Sequence, residues 1–123
     1  MKSMIKFLLI LICVFTTASC SNKNVDSLQD IKGQELINEV ISSDERYLIK
    51  AYKNNGGATV DYSVLCTLTD NQTKKTNNIY WQYKVDDAMI EWIDNDTVSI
   101  NNVILNLPED TYDWRMSNRE KRS

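Results

Sequence analysis

The chain has 123 residues, with 14 Lys plus Arg against 17 Asp plus Glu, a formal net charge of −3 and no histidine. That length suits one ordinary domain. Without histidine the chain cannot build a Ser-His-Asp or Cys-His nucleophile or an imidazole-bearing zinc site. The slight acidity also lacks the basic footprint that nucleic-acid binding requires, so we expect no nucleic-acid partner.

The first twenty residues have the pattern of an export signal. Two lysines precede an apolar run over residues 7–15, which is too short to cross a bilayer because a helical span needs about twenty residues. The run ends in Thr17-Ala18-Ser19-Cys20, which resembles the bacterial lipoprotein box. The resemblance implies a signal peptide over residues 1–19 and a diacylglyceryl group on Cys20. The protein would then be anchored by lipid to the extracytoplasmic face of the cell membrane.

Removing the signal changes the charge and the thiols of the chain. Residues 1–19 carry two lysines and no acid, which leaves 12 basic and 17 acidic side chains and a net charge of −5. Such a chain repels polyanions and anionic headgroups. We therefore expect it to contact the membrane only through the lipid on Cys20. Two acyl chains are enough for stable anchoring. Cys66 would be left as a single thiol, which cannot form an intrachain disulfide.

The segment after Cys20 is polar and predicts a flexible tether. We expect the lipidated cysteine and tether to cover residues 20–34, a β domain 35–115 and a disordered tail 116–123. Residues 28–41 fit either a helix or a strand. We favour a strand over 35–41, because Gly33 interrupts the helical period.

From residue 47 onward, apolar and polar side chains alternate in strand-length runs separated by turn residues. The turns are Asn54-Asn55-Gly56-Gly57, residues 70–75, Asp94-Asn95-Asp96 and Asn101-Asn102. The residues that alternation places on a shared face are Tyr47, Ile49 and Ala51, then Val60, Tyr62, Val64, Cys66 and Leu68, then Ile79, Trp81, Tyr83 and Val85, and then Ile90 and Trp92. This pattern predicts an all-β fold, a small antiparallel meander that forms a sandwich or a partly open barrel.

An ordered series of blocks adds a family resemblance. The blocks are residues 55–62 (NGGATVDY), 78–81 (NIYW), 90–101 (IEWIDNDTVSIN) and 111–115 (TYDWR). The series resembles an uncharacterised family of small lipoproteins from Gram-positive bacteria, a domain of unknown function. The resemblance implies a cell-surface setting and supplies no catalytic or binding residue.

No residue pattern predicts a metal, a cofactor or a catalytic set. Asp94-Asn95-Asp96 begins like an EF-hand loop, but Ser99 and Leu105 stand where that loop needs Gly and Glu. Cys66 lies on the same apolar face as Val60, Tyr62, Val64 and Leu68, so we expect it in the core. The function we expect is therefore a non-enzymatic binding module. The alternatives are an envelope hydrolase that uses acids such as Asp61, Glu91 or Asp94, or a structural envelope protein.

Large aromatic side chains are the most informative feature of the domain. Alternation places Trp81, Tyr83 and Trp92 in the core, where a small β domain without disulfides needs them. If Tyr52, Tyr80 and Trp114 lie together on the outside, they form a platform for a sugar ring or for a partner's apolar anchor. These three residues are the predicted binding surface.

Overall fold

Residues 27–116 are described by a computed structural model of the protein. The predicted signal peptide, Cys20 and the tail from residue 117 lie outside the described residues. Within residues 27–116 there are eight strands and a short 3₁₀ helix, Leu28–Asp30. The strands are β1 Glu35–Ile41, β2 Tyr47–Asn55, β3 Tyr62–Asp70, β4 Lys75–Tyr83, β5 Ile90–Trp92, β6 Thr97–Ile100, β7 Val103–Asn106 and β8 Tyr112–Asp113.

The strands form two open sheets that pack face to face. One sheet has the order β1-β2-β3-β4-β8 and the other has the order β5-β6-β7. All neighbours are antiparallel except β4 and β8, which run parallel. The prediction of an all-β fold is confirmed, and of its two forms the sandwich is the one found, because the described strands do not close into a barrel. The strand over residues 35–41 is also confirmed.

The core lies between the sheets and is built by alternation, as strand geometry requires. Buried side chains of the larger sheet meet buried side chains of the smaller one, with Ala88 and Leu107 at the margins. The larger sheet contributes Tyr47, Ile49, Ala51, Val64, Cys66, Leu68, Ile79 and Tyr80, and the smaller sheet contributes Val98, Ile100 and Leu105. We call this side of the larger sheet its inner face and the opposite side its outer face.

Two connections show how turn chemistry sets the register. Asn101 and Asn102 take positive φ values of 48° and 68° and join β6 to β7, as the sequence predicts, because asparagine tolerates the left-handed region. The β2–β3 connection is longer than expected, since β3 begins only at Tyr62. Val60 and Tyr62, which share the predicted core face of Cys66, are nearly half exposed, so their predicted burial is wrong.

A β-bulge in β4 reverses the side-chain alternation. Cys66 pairs with Tyr80 and Thr67 pairs with Asn78, so Ile79 is an extra residue on β4. Ile79 and Tyr80 are consequently both buried in the core, each 1% exposed. Beyond the bulge, Trp81 lies on the outer face, where it pairs with Leu65. The expectation that Trp81 and Tyr83 point inward and Tyr80 outward is therefore wrong.

Residues 27–34 form a strap across the outer face. The side-chain amide of Asn78 donates to the carbonyls of Leu28 and Ile31 at 2.9 and 2.7 Å. The Gln29 side chain pairs with the backbone of Asn78: its Nε2 donates to the Asn78 carbonyl and its Oε1 accepts from the Asn78 N–H, both at 2.8 Å. Further along, the Asn54 amide donates to the carbonyl of Lys32 at 2.9 Å.

The strap changes the domain boundary. Gly33 lies against the ring of Tyr52, so closely that a Cβ there would fall 2.6 Å from Cδ2. Residues 27–34 therefore pack on the sheet as part of the folded domain, and the flexible tether expected over residues 20–34 does not extend over them. The strap escaped prediction because its contacts are amide hydrogen bonds and a glycine contact, which leave no hydrophobic period in the sequence.

Candidate binding groove

The outer face of the five-stranded sheet has a covered end and an open end. Register places Leu36, Tyr52, Leu65 and Trp81 in one row across it. Leu65 is fully buried although it lies outside the core between the sheets. The strap covers this face from Asn78 toward Asn54, and beyond it the face opens.

The open end forms a groove of about 480 Å³. This volume falls within the range of small-ligand sites, about 300–1,000 Å³. The lining combines three aromatic rings with neutral polar groups and a single carboxylate. The lining residues are Gln34, Asn54, Asn55, Gly56, Val60, Asp61, Ser63, Trp81, Tyr83 and Trp114.

The aromatic lining is a packed cluster. The rings of Tyr83 and Trp114 are stacked, with centroids 4.9 Å apart and an interplanar angle of 25°. Trp81 meets Trp114 edge-on at 5.8 Å. The β4 bulge brings Trp81 and Tyr83 to this face, and the end of β8 brings Trp114 beside them. Rings held by one another present a rigid apolar surface that loses little entropy on binding.

An ion pair next to β8 supports the cluster. The guanidinium of Arg115 makes a bidentate contact with Asp113, with Nη2 at 2.7 Å from Oδ2 and Nε at 3.0 Å from Oδ1. The same guanidinium carbon lies 4.8 Å from the centroid of Trp81, within cation–π range. Arg115 therefore occupies the cation position over this indole.

The amides at the rim are already paired with one another. Gln34 and Asn55 exchange two hydrogen bonds: the Asn55 N–H donates to Gln34 Oε1 at 2.9 Å, and Gln34 Nε2 donates to the Asn55 carbonyl at 3.3 Å. The backbone N–H of Gln34 donates to Asn54 Oδ1 at 2.8 Å. These bonds tie the strap to the end of β2 and fix one wall of the groove.

Other polar groups of the groove have no hydrogen-bond partner in the described part of the chain. Neither the Ser63 hydroxyl nor the Asp61 carboxylate forms a hydrogen bond within residues 27–116, although the backbone N–H of Asp61 donates to the Tyr83 hydroxyl at 3.3 Å. The buried indole N–H of Trp81 also has no acceptor in that part of the chain. Next to Asp61 lies a second hollow of about 240 Å³, lined also by Tyr62, Lys84, Val85 and Asp86.

The platform predicted from Tyr52, Tyr80 and Trp114 does not form. Tyr80 is buried on the inner face, where it stacks on Tyr112 at 5.3 Å and accepts a hydrogen bond from Asn101. Burial raises the pKa of Tyr80 to about 12. Tyr52 lies beneath the strap at Gly33, and among the three only Trp114 lines the groove.

Trp81 and Tyr83 line the groove together with Trp114. The sequence analysis placed these two residues in the core because the apolar–polar alternation of β4 does not reveal the bulge. The nearest signal in the sequence is Asn78-Ile79-Tyr80, where two large apolar residues follow a polar one. Such a pair is expected where a bulge turns consecutive side chains to one face.

The remaining candidates occupy ordinary structural positions. Cys66 is fully buried in the core, as predicted, and burial raises its thiol pKa to about 12, which leaves it protonated at neutral pH. Asp94 sits in the β5–β6 turn, where hydrogen bonds from the Asp96 backbone and the Thr97 side chain lower its pKa. No group of three potential metal ligands occurs within residues 27–116.

The comparison with known families covers most of the chain. Residues 2–117 match a family of unknown function (DUF5412). The chain belongs to this family. The DUF5412 match includes Cys20 and the residues before it as well as the β domain. Neither a curated protein nor a solved structure gives a significant match. Within residues 27–116, no helix has the length and apolar character needed to cross a bilayer.

Proposed function

We propose that the protein is a lipid-anchored surface lipoprotein of a Gram-positive bacterium and that it acts as a non-enzymatic binding module. The observation that carries the binding role is the aromatic groove on the outer face, formed by Trp81, Tyr83 and Trp114. Concave apolar sites with a few polar groups are the usual location of ligands. Support for the anchor comes from the lipoprotein box that ends at Cys20 and lies inside the family match.

The position of the groove suits a protein anchored at Cys20. Seven residues lead from Cys20 to Ser27, so the folded domain stays within about 25 Å of the lipid. The strap begins beside Asn78, which pairs with Thr67, whereas Ser63 at the groove lies four residues along β3, or about 13 Å away. The groove therefore lies toward the end of the sheet remote from the attachment point, accessible from outside.

The acids favour binding over hydrolysis. General acid–base hydrolysis of a glycoside needs two carboxyl groups at a fixed separation across one cleft. Of Asp61, Glu91 and Asp94, only Asp61 lines the groove, whereas Glu91 lies in β5 and Asp94 in the turn after it. We therefore place the hydrolase alternative second.

The anchor is tested by comparing the full chain with its Cys20→Ala variant in a Gram-positive host. We expect the parent chain in the membrane fraction, with mass spectrometry showing a diacylglyceryl group on Cys20. The variant should be released or remain as an uncleaved precursor. Normal processing and membrane retention of the variant would contradict the anchor.

The groove is tested in the same cells by a photo-crosslinking amino acid at Val60, with one at Ile104 as the matched control. Both positions are exposed, but only Val60 lines the groove. We expect a discrete adduct with an envelope component from Val60 that Ile104 does not give. The adduct should disappear when Trp114 is changed to Ala. Equal adducts from the two positions would remove the groove as the binding site.

A further inference from the structure

We propose that the groove binds a neutral saccharide, with a hexopyranose ring packed on the Trp114 and Tyr83 rings. The inference rests on the proposed binding function and names the ligand of that same site. The C–H face of a pyranose is a flat apolar surface, and its hydroxyl groups surround that face. A site for such a ring needs an exposed aromatic surface with hydrogen-bonding groups beside it.

The aromatic part of this requirement is met by the stacked pair. Tyr83 and Trp114 both line the groove, and their mutual stacking at 4.9 Å fixes their orientation. Trp81 supports the pair through its edge contact with Trp114 at 5.8 Å. A ligand that stacks here does not need to order the rings first, which lowers the entropy cost of binding.

The polar part is met by Ser63 and Asp61. The Ser63 hydroxyl can donate and accept, and the Asp61 carboxylate can accept from two neighbouring hydroxyl groups. Neither side chain forms a hydrogen bond within residues 27–116, and both line the groove. An apolar peptide anchor in the same place would desolvate these groups without replacing their bonds to water, which costs free energy.

The charged residues at the groove favour a neutral saccharide over an ionic ligand. Asp61 is the only charged residue that lines the groove among those described, and its carboxylate disfavours an anionic ligand. Arg115 and Lys84 are cations beside the groove, and the Lys84 ammonium lies 5.9 Å from the centroid of the Tyr83 ring and next to Asp61 in the neighbouring hollow. A cationic ligand would use a ring face as its partner. Over Trp81 that position is already held by Arg115, which is itself neutralised by Asp113. The groove thus fits a ligand that is polar and uncharged.

The experiment titrates the full chain, purified from membranes in detergent, with four tetrasaccharides while tryptophan fluorescence and heat are measured. The neutral probes are cellotetraose, tetra-N-acetylchitotetraose and maltotetraose, and the anionic probe is tetragalacturonate. We expect at least one neutral probe to bind and to change the fluorescence. We expect tetragalacturonate to bind about tenfold more weakly or not at all.

Three variants locate the site. Trp114→Ala and Tyr83→Ala should each weaken the neutral saccharide about tenfold, since each removes a stacking surface. Ile104→Ala is the control, because Ile104 is exposed on β7 away from the groove. It should bind as the parent does. Urea unfolding of every variant confirms that a loss of binding is not a loss of folding.

Several results would overturn the inference. They are the absence of binding by all three neutral probes at millimolar concentration, tighter binding of tetragalacturonate, and binding that survives Trp114→Ala and Tyr83→Ala in folded protein. If the neutral probes fail while Val60 still crosslinks to an envelope component in cells, the saccharide is wrong and the binding function stands. If both fail, the proposed function falls with it.

Discussion

The two faces of the five-stranded sheet are built from the same strands but are stabilised differently. On the inner face, Ile49, Cys66 and Tyr80 have almost no exposed surface and pack against the second sheet. On the outer face, burial depends on the strap, which is held by the amides of Asn78 and Asn54. The inner face needs apolar volume, whereas the outer face needs particular donors and acceptors.

This difference leaves part of the outer face open. The strap reaches Gln34 and then turns into β1, so it covers the sheet beside Leu65 and ends at the groove. The rings beyond it pack on one another. The proposed binding surface therefore lies on the face opposite the sheet-to-sheet core.

The largest expected contrast is between two tyrosines of β4 that lie on opposite faces. Tyr80→Ala should lose about 3–5 kcal/mol of unfolding free energy, because it leaves a cavity in the core. Tyr83→Ala should lose only about 1 kcal/mol, mainly the stacking on Trp114. Urea unfolding measures both. Similar losses for the two variants would show that the faces are not energetically distinct.

The next effect concerns the strap. Gly33→Ala places a methyl group against the ring of Tyr52 and should cost about 1–3 kcal/mol through displacement of the strap or the ring. The clash should be relieved in the double variant Gly33→Ala/Tyr52→Ala. We therefore expect Gly33→Ala to cost much less in the Tyr52→Ala background, as measured by a double-mutant cycle. An unchanged cost would mean that the contact is not the cause.

The same comparison shows which parts of the fold can be predicted from the sequence. Alternation correctly places Val64, Cys66 and Leu68 of β3 together in the core, because a half-buried strand must repeat every two residues. It fails at Ile79, where one extra residue moves Tyr80 inward and Trp81 outward. The bulge depends on pairing with β3, and the only local signal for it in β4 is the adjacent apolar pair Ile79-Tyr80.

The candidate site was predictable only in part for the same reason. Trp114 was expected at a binding surface, and it lines the groove. Tyr52 was expected there also, but the strap covers it at Gly33. The parallel pairing of β8 with β4, which brings Trp114 to Trp81, joins residues distant in sequence and has no local signature.

A smaller effect is expected at the amide that holds the strap. Asn78→Ala removes two side-chain hydrogen bonds, at a cost of about 1–2 kcal/mol. The Ile31 carbonyl loses its donor, whereas the Leu28 carbonyl keeps the backbone hydrogen bond from the Ile31 N–H at 3.4 Å. Amide hydrogen exchange should become faster over residues 27–34, while the β2–β3 ladder stays protected. Asn77→Ala is the control, because Asn77 is exposed and should change neither quantity. Unchanged exchange in Asn78→Ala would contradict the role of this amide.

The smallest expected effect is a loss of unfolding free energy at alkaline pH, caused by two buried groups of the inner face. Burial raises the pKa of Tyr80 from 10.0 to about 12 and that of Cys66 from 9.0 to about 12. Between these values the folded chain keeps protons that the unfolded chain has lost, so the stabilisation is complete below about pH 9 and declines as the pH rises toward 12. Tyr80→Phe and Cys66→Ala should each reduce this decline, measured as the difference in unfolding free energy between about pH 8 and about pH 11. If both variants follow the parent, the alkaline loss arises elsewhere and the burial of the two inner groups does not govern it.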